Sequence, residues 1–266
     1  MDIVTLVIMG GLAGMMAGLL GIGGGALIVP VLVIVFERQG VNPGIIMQLA
    51  LGTSLATIVF TALSSVMAHH RRGAVNWAVF RQITPGIIVG TLLGSAVAHW
   101  LSSQELRWMF VVFMFAVAAQ MSRGTMVTDA HAKLPGRAGM SLAGSIIGVA
   151  SALFGIGGGS LSVPFQTWCG VPAKQAVATS SAIGLPIALS GTVGYVAAGL
   201  GTPGLPAWSI GYVVLPAFAG VVTGSTLAAP FGARLAHRLS DVTLRRVFAV
   251  FVTLLGLRML WGLLQG

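Results

Sequence analysis

The decapeptide Gly21-Ile22-Gly23-Gly24-Gly25-Ala26-Leu27-Ile28-Val29-Pro30 returns 134 residues later as Gly155-Ile156-Gly157-Gly158-Gly159-Ser160-Leu161-Ser162-Val163-Pro164. Further matches follow in the same order along both stretches. Gly10, Gly14 and Gly18 fall on Gly144, Gly148 and Ala152 at that offset. Thr53-Ser54 falls on Thr179-Ser180 at 126 residues, and Gly86, Gly90 and Gly94 fall on Gly224, Ala228 and Gly232 at 138. His99-Trp100-Leu101-Ser102 then matches His237-Arg238-Leu239-Ser240, and Leu106-Arg107 matches Leu244-Arg245. Ordered matches of this kind mark an internal duplication, so the chain must be built as two copies of one unit.

Each copy reads as five apolar segments, near 3–20, 24–36, 48–68, 79–101 and 107–121, then 139–154, 158–168, 175–199, 208–233 and 245–264. Halves 1–121 and 139–266 are thus joined by a polar linker at 122–138 that carries Pro and Gly. Composition decides the medium. Only 7% of residues are charged and 56% are hydrophobic, where soluble proteins carry about 25% charged. Too few charges exist to wet a globular surface, and a lipid-embedded helical bundle is the alternative. No Lys or Arg precedes the first apolar run, so Ile3 onward is expected to remain as a membrane segment rather than be cleaved. The single cysteine, Cys169, cannot form an internal disulfide and reads as a buried, inert thiol.

Five is odd, and odd units alternate in direction. The second half then enters from the opposite side, as an inverted repeat. Charge agrees. Arg71, Arg72, Arg81, Arg123, Lys133, Arg137, Lys174, Arg234, Arg238, Arg245 and Arg246 fall on one side, against Arg38, Arg107 and Arg258 on the other. The positive-inside rule places the larger group and the linker in the cytoplasm and both termini outside. This asymmetry accounts for most of the net charge of +9. With no basic stripe interleaved with aromatics, no nucleic-acid partner is expected. Halves of four crossings in parallel orientation are the alternative and would spoil the segregation. The fold class expected is an all-α polytopic membrane protein, each half containing a glycine-broken short or re-entrant pair.

The glycine runs are the candidate site. Segment 24–36 would rise only about 20 Å as a helix against a hydrocarbon core of about 30 Å. Short, glycine-interrupted segments at matching places in two halves point to a transporter's midplane site. Glycines let a ligand approach the backbone, and the helix that follows offers unpaired N–H groups and a positive dipole end to an anion. Gly23, Gly24, Gly25, Gly157, Gly158 and Gly159 are therefore expected to bind substrate, with Thr53, Ser54, Thr179 and Ser180 as supporting donors. The ladders Gly10/14/18 and Gly86/90/94 read instead as flat helix-packing faces. Thr57, Thr61, Ser181 and Ser190 read as hydroxyls bonded to their own helix. A Val at Gly24 or Gly158 is expected to harm binding more than Thr53→Val or Thr179→Val.

The acids, Asp2, Glu37, Glu105, Asp129 and Asp241, all sit at segment ends or in loops. A cation pump usually keeps a carboxylate inside the membrane, which disfavours cation pumping and an intramembrane aspartyl protease. His69, His70, His99 and His237 read as interface residues. No catalytic constellation appears, so no enzyme activity, cofactor or metal is expected.

At Gly18-Leu19-Leu20-Gly21-Ile22-Gly23-Gly24-Gly25 with Pro30, at Ala152-Leu153-Phe154-Gly155-Ile156-Gly157-Gly158-Gly159 with Pro164, and at the two Thr-Ser pairs, the chain resembles the TauE/SafE family of sulfite exporters, also called toluene-sulfonate uptake permeases. The resemblance covers nearly the whole chain. It implies a carrier of sulfite, sulfonates or related organosulfur anions in a bacterial inner membrane, with seven or eight spans, so that some of the ten segments would be re-entrant or fused. An alternating-access exporter is the expected function, and an anion channel using the same glycine tips as a filter is the alternative. The expected partners are a small anionic substrate and the lipid bilayer, with homodimerisation and the driving ion left open.

Overall fold

The computed structural model describes residues 7, 10, 11, 15, 25–123, 134–236 and 241–265. Within these it is almost wholly helical: α1 (Gly25–Arg38), a 3-10 turn (Pro43–Ile45), α2 (Ile46–Arg71), α3 (Trp77–Trp100), α4 (Ser103–Arg123), α5 (Arg137–Phe154), α6 (Gly159–Trp168), α7 (Ala173–Gly199), α8 (Leu215–Ala236) and α9 (Asp241–Gln265). Four of these stretches are long and apolar enough to cross a membrane: 43–71, Trp77–Trp100, Arg137–Phe154 and Ala173–Gly199. The outward surface carries large apolar side chains such as Leu93, Leu142, Ile146 and Val193, which only a lipid environment solvates without penalty.

Local chemistry sets the helix ends. Asn42 caps the 3-10 turn through Gly44 N, and Asn76 caps α3 by accepting from Ala78 N and Val79 N. Ser102 and Glu105 form a reciprocal capping box: Ser102 N and Oγ both donate to Glu105 Oε2, at 2.8 and 2.7 Å, and Glu105 N donates to Ser102 Oγ. That box starts α4 at Ser103 rather than at 107, because the polar Ser-Gln-Glu run is the helix's first turn and not a loop. The second segment is short in both halves, 14 residues in α1 and 10 in α6.

One expectation is corrected. Residues 208–214 are not helical: Ser209–Ile210 (β1) and Val213–Val214 (β2) pair antiparallel, and Trp208 takes a positive φ of 63°. The turn at Gly211 lies so close to Val196 that a Cβ there would overlap its backbone, and Tyr212 N donates to Tyr195 O. Backbone groups drawn off to the end of α7 cannot continue a helix, so α8 starts only at Leu215.

The helices pair reciprocally between halves. A Cβ on Gly86 would overlap Ser141 O, and one on Gly224 would overlap Val7 O. These two contacts are related by the offsets of 134 and 138 residues that align the sequence copies. Gly144 meets Ile83 O while Gly10 meets Gly220 O and Val221 Cα, the same relation again. The described ladder residues therefore form close helix–helix seams, as expected, each joining the first segment of one half to the fourth of the other, while Gly14 and Gly18 lie outside the described residues. Corresponding segments run antiparallel. Gly52 lies against Tyr195, Gly191 against Leu55 and Gly184 against Ala62, so α2 and α7 cross in opposite directions. Gly256 beside Met114 and Phe115, with Gly262 beside Arg107, gives the same result for α4 and α9.

Two ends of the molecule follow from these pairings. Glu37 at the end of α1 bonds Arg107 of α4 at 2.5 Å and Arg258 of α9 at 3.5 Å, so the three basic residues of the sparse group, Arg38 included, gather at one end. Arg71, Arg72, Arg81, Arg137 and Lys174 lie at the opposite end, where α2 finishes and α3, α5 and α7 begin.

Candidate anion site at the second glycine break

α5 stops at Gly155, whose φ of 59° is left-handed. Gly155 N donates to Ala152 O and Ile156 N to Ser151 O, which satisfies the last carbonyls of the helix. The chain then passes through Ile156 and Gly157, and α6 begins after Gly158. Gly157 and Gly158 are buried. From Gly157 to Leu161, no backbone N–H has an acceptor among the described residues, and the first bonded one is Ser162 N, on Gly158 O at 2.8 Å. Unpaired donors are normal at a helix start. Unpaired donors at buried residues in an apolar bundle are costly unless an acceptor comes to them.

The first half closes on this point. Gly25, the first residue of α1, packs against Gly155 and Ile156, so the end of one glycine motif touches the start of the other. Gly23 and Gly24 lie outside the described residues. Ser54 of α2, buried, donates from Oγ to Gly155 O at 2.8 Å and pins the second glycine turn to the first half. Gly25, Ser54, Gly157, Gly158 and Gly159 thus share one location.

The two threonines accept backbone N–H groups across the halves. Thr179 Oγ1 accepts Asn76 N at 2.9 Å and Thr53 Oγ1 accepts Val214 N at 3.0 Å. Each hydroxyl takes the N–H of a residue just ahead of a fourth segment in the opposite half, and both are fully buried. Ser180, buried, accepts from Gln166 Nε2 at 2.9 Å and contacts Ser162 Oγ at 2.7 Å. Thr57, Thr61, Ser181 and Ser190 bond carbonyls of their own helices, as read from the sequence. Cys169 is a buried free thiol. His69 and His70 lie in the last turn of α2 and His99 in that of α3; His237 lies outside the described residues.

Two polar residues at this break were missed from the sequence, Ser162 and Gln166, both fully buried. A signal existed. At the 134-residue offset they face Ile28 and Leu32, so the repeat turns polar at these places in the second half only.

The sequence profile of the sulfite exporter TauE/SafE family matches residues 6–259. The chain belongs to this family. A probable membrane transporter protein of Haemophilus influenzae is 34% identical over 257 residues, 97% of each chain. A probable membrane transporter protein of Methanocaldococcus jannaschii is 33% identical over 67% of this chain and 66% of its own. One of Bacillus subtilis, YunE, is 30% identical over 69% of this chain and 74% of its own. No solved structure matches the chain. TauE/SafE membership and these relatives make it a membrane transporter, consistent with the long apolar helices. Among its described residues no group of three or more His, Cys, Asp or Glu could hold a metal.

Proposed function

We propose that this TauE/SafE member is a secondary transporter that exports small sulfur-containing oxyanions, such as sulfite or organosulfonates, across a bacterial inner membrane by alternating access. The observation that carries this reading is the run of N–H groups from Gly157 to Leu161 that have no acceptor among the described residues, of which Gly157 and Gly158 are buried, at the start of α6 where Gly25 of the other motif also arrives. Tetrahedral and pyramidal oxyanions offer several acceptors to such a cradle, and the positive end of the α6 dipole favours their charge. Two halves, 1–121 and 139–266, related as an inverted repeat around this site, are supported by the antiparallel pairing of α2 with α7 and of α4 with α9. Halves related by an axis along the membrane normal would place those pairs parallel.

The test is binding by purified protein to sulfite, an alkyl sulfonate, sulfate and a carboxylate. Saturable binding of sulfite or sulfonate, lost in Gly158→Val protein of normal abundance, is the expected result. Wild-type affinity in that variant would move the site away from the break.

A further inference from the structure

The polar residues beside the second glycine break form a directed chain. Gly158 O accepts Ser162 N at 2.8 Å and lies 2.5 Å from Ser162 Oγ. A carbonyl can only accept, so the single Ser162 hydroxyl hydrogen goes to it. Ser180 Oγ, 2.7 Å from Ser162 Oγ, must then be the donor between those two. Gln166 Nε2 donates to Ser180 Oγ at 2.9 Å and to Ser162 O at 3.2 Å. Every link thus points one way, from the Gln166 amide through Ser180 and Ser162 to the carbonyl of Gly158. Ser162 and Gln166 are fully buried and Ser180 is 1% exposed.

That carbonyl belongs to the peptide joining Gly158 to Gly159. In a planar trans peptide the C=O and N–H point in opposite directions. Gly158 O faces along the helix toward Ser162, so Gly159 N–H points out of the start of α6, where it has no acceptor among the described residues. Hydrogen bonds in series polarise one another at a buried, low-dielectric place, and donors on a carbonyl make the N–H of the same peptide a stronger donor. Two donors on Gly158 O also hold the plane of that peptide. Stability does not account for the chain. Gln166 Oε1 is buried with no hydrogen-bond partner among the described residues, which is destabilising. The matched helix α1 folds with Ile28 and Leu32 in place of Ser162 and Gln166.

We propose that Ser162, Ser180 and Gln166 are positioning residues for the anion site: their hydrogen bonds end on Gly158 O and so orient and strengthen Gly159 N–H as a donor to a bound oxyanion. This rests on the transporter reading, with its anion cradle at the start of α6. The two glycine breaks are then chemically unequal. The matched positions of the first half cannot build the chain, and Ser54, the counterpart of Ser180, donates to Gly155 O instead.

The experiment measures the affinity for sulfite and for methanesulfonate, and the melting temperature, of the purified full chain and its variants. Ser162→Ala breaks the last link and should weaken anion binding about two- to fourfold, while Ser162→Thr, which keeps a hydroxyl, should stay close to wild type. Gln166→Leu breaks the first link and should weaken binding about twofold. Its melting temperature should equal or exceed that of wild type, because the unpaired Oε1 is gone. A purely structural role gives the opposite pattern, with affinity and melting temperature falling together and Thr no better than Ala. That pattern overturns the assignment, as does wild-type affinity in both Ser162→Ala and Gln166→Leu, and either leaves the anion site standing. Should Gln166→Leu not fold, Ser180→Ala breaks the middle link and carries the same expected loss of affinity. A wild-type chain that binds neither anion refutes the anion site, and the positioning role with it.

Discussion

Gly25 packs directly on Gly155: a methyl added at Gly25 would stand 2.7 Å from Gly155 O and 2.8 Å from Ile156 Cα. Both obstacles are backbone atoms that cannot rotate away. Gly25→Ala should therefore destabilise the protein by about 1–3 kcal/mol through overpacking. Gly157 is different, since its Cβ would meet only Ile58 Cγ2 at 3.5 Å. Gly157→Ala should fold normally and lose anion affinity. Thermal melts of the two purified variants, with sulfite titrations on the second, check the contrast; equal melting losses would refute it.

Thr53→Val and Thr179→Val now carry a structural cost. Each removes the acceptor of a backbone N–H at a junction between halves, that of Val214 in a buried bond or that of Asn76 in a part-buried one. The expected loss is about 1–3 kcal/mol for each, with Ser at the same position restoring most of it. Melting temperatures of the Val and Ser variants report this directly. A Val variant with wild-type stability would show that the N–H finds another acceptor.

Along the ladder seams, Gly86→Ala and Gly90→Ala should prevent α3 and α5 from approaching, because the added carbon overlaps the carbonyls of Ser141 and Ser145. Gly136→Ala, with nothing within 4 Å, should be neutral. Monodisperse yield after detergent extraction separates them: the first two should drop severalfold and the third should match wild type.

Glu105 gives the α4 cap a pH dependence. Hydrogen bonds from the Ser102 side chain and backbone hold its carboxyl below the usual glutamate range. A depressed carboxylate pKa stabilises the fold above the unfolded-state value and stops doing so as pH falls through the folded value. The stability advantage of wild type over Glu105→Gln should thus be present above the usual glutamate range and shrink as pH falls through that range to the lowered folded value. Paired melts across that range test it, and a constant difference would exclude the charged cap.

Both termini should lie outside the cytoplasm and the 122–138 linker inside, given how the basic residues divide between the two ends of the bundle. Reporter fusions after Gly266 and within the linker should give opposite signals. Matching signals would exclude an inverted repeat with an odd number of crossings.

The sequence by itself determined the duplication, the helical segments to within a few residues at most boundaries, the membrane setting and the packing role of the Gly86 ladder. All of these are written in local period or in self-similarity, and neither needs a fold to be read. Only the tertiary structure decided what the hydroxyls do. Thr53 and Val214 lie 161 residues apart, and Ser54 and Gly155 lie 101 apart. No local pattern tells a hydroxyl which distant N–H or carbonyl it will meet. The 208–214 hairpin went unread for the same reason, because Gly211 and Tyr212 are held by Val196 and Tyr195 on α7 rather than by their neighbours in sequence. Gln166 sits between these cases. Its departure from the repeat was visible, but its unpaired oxygen exists only because α6 and α7 bring Ser162 and Ser180 to the other end of its amide.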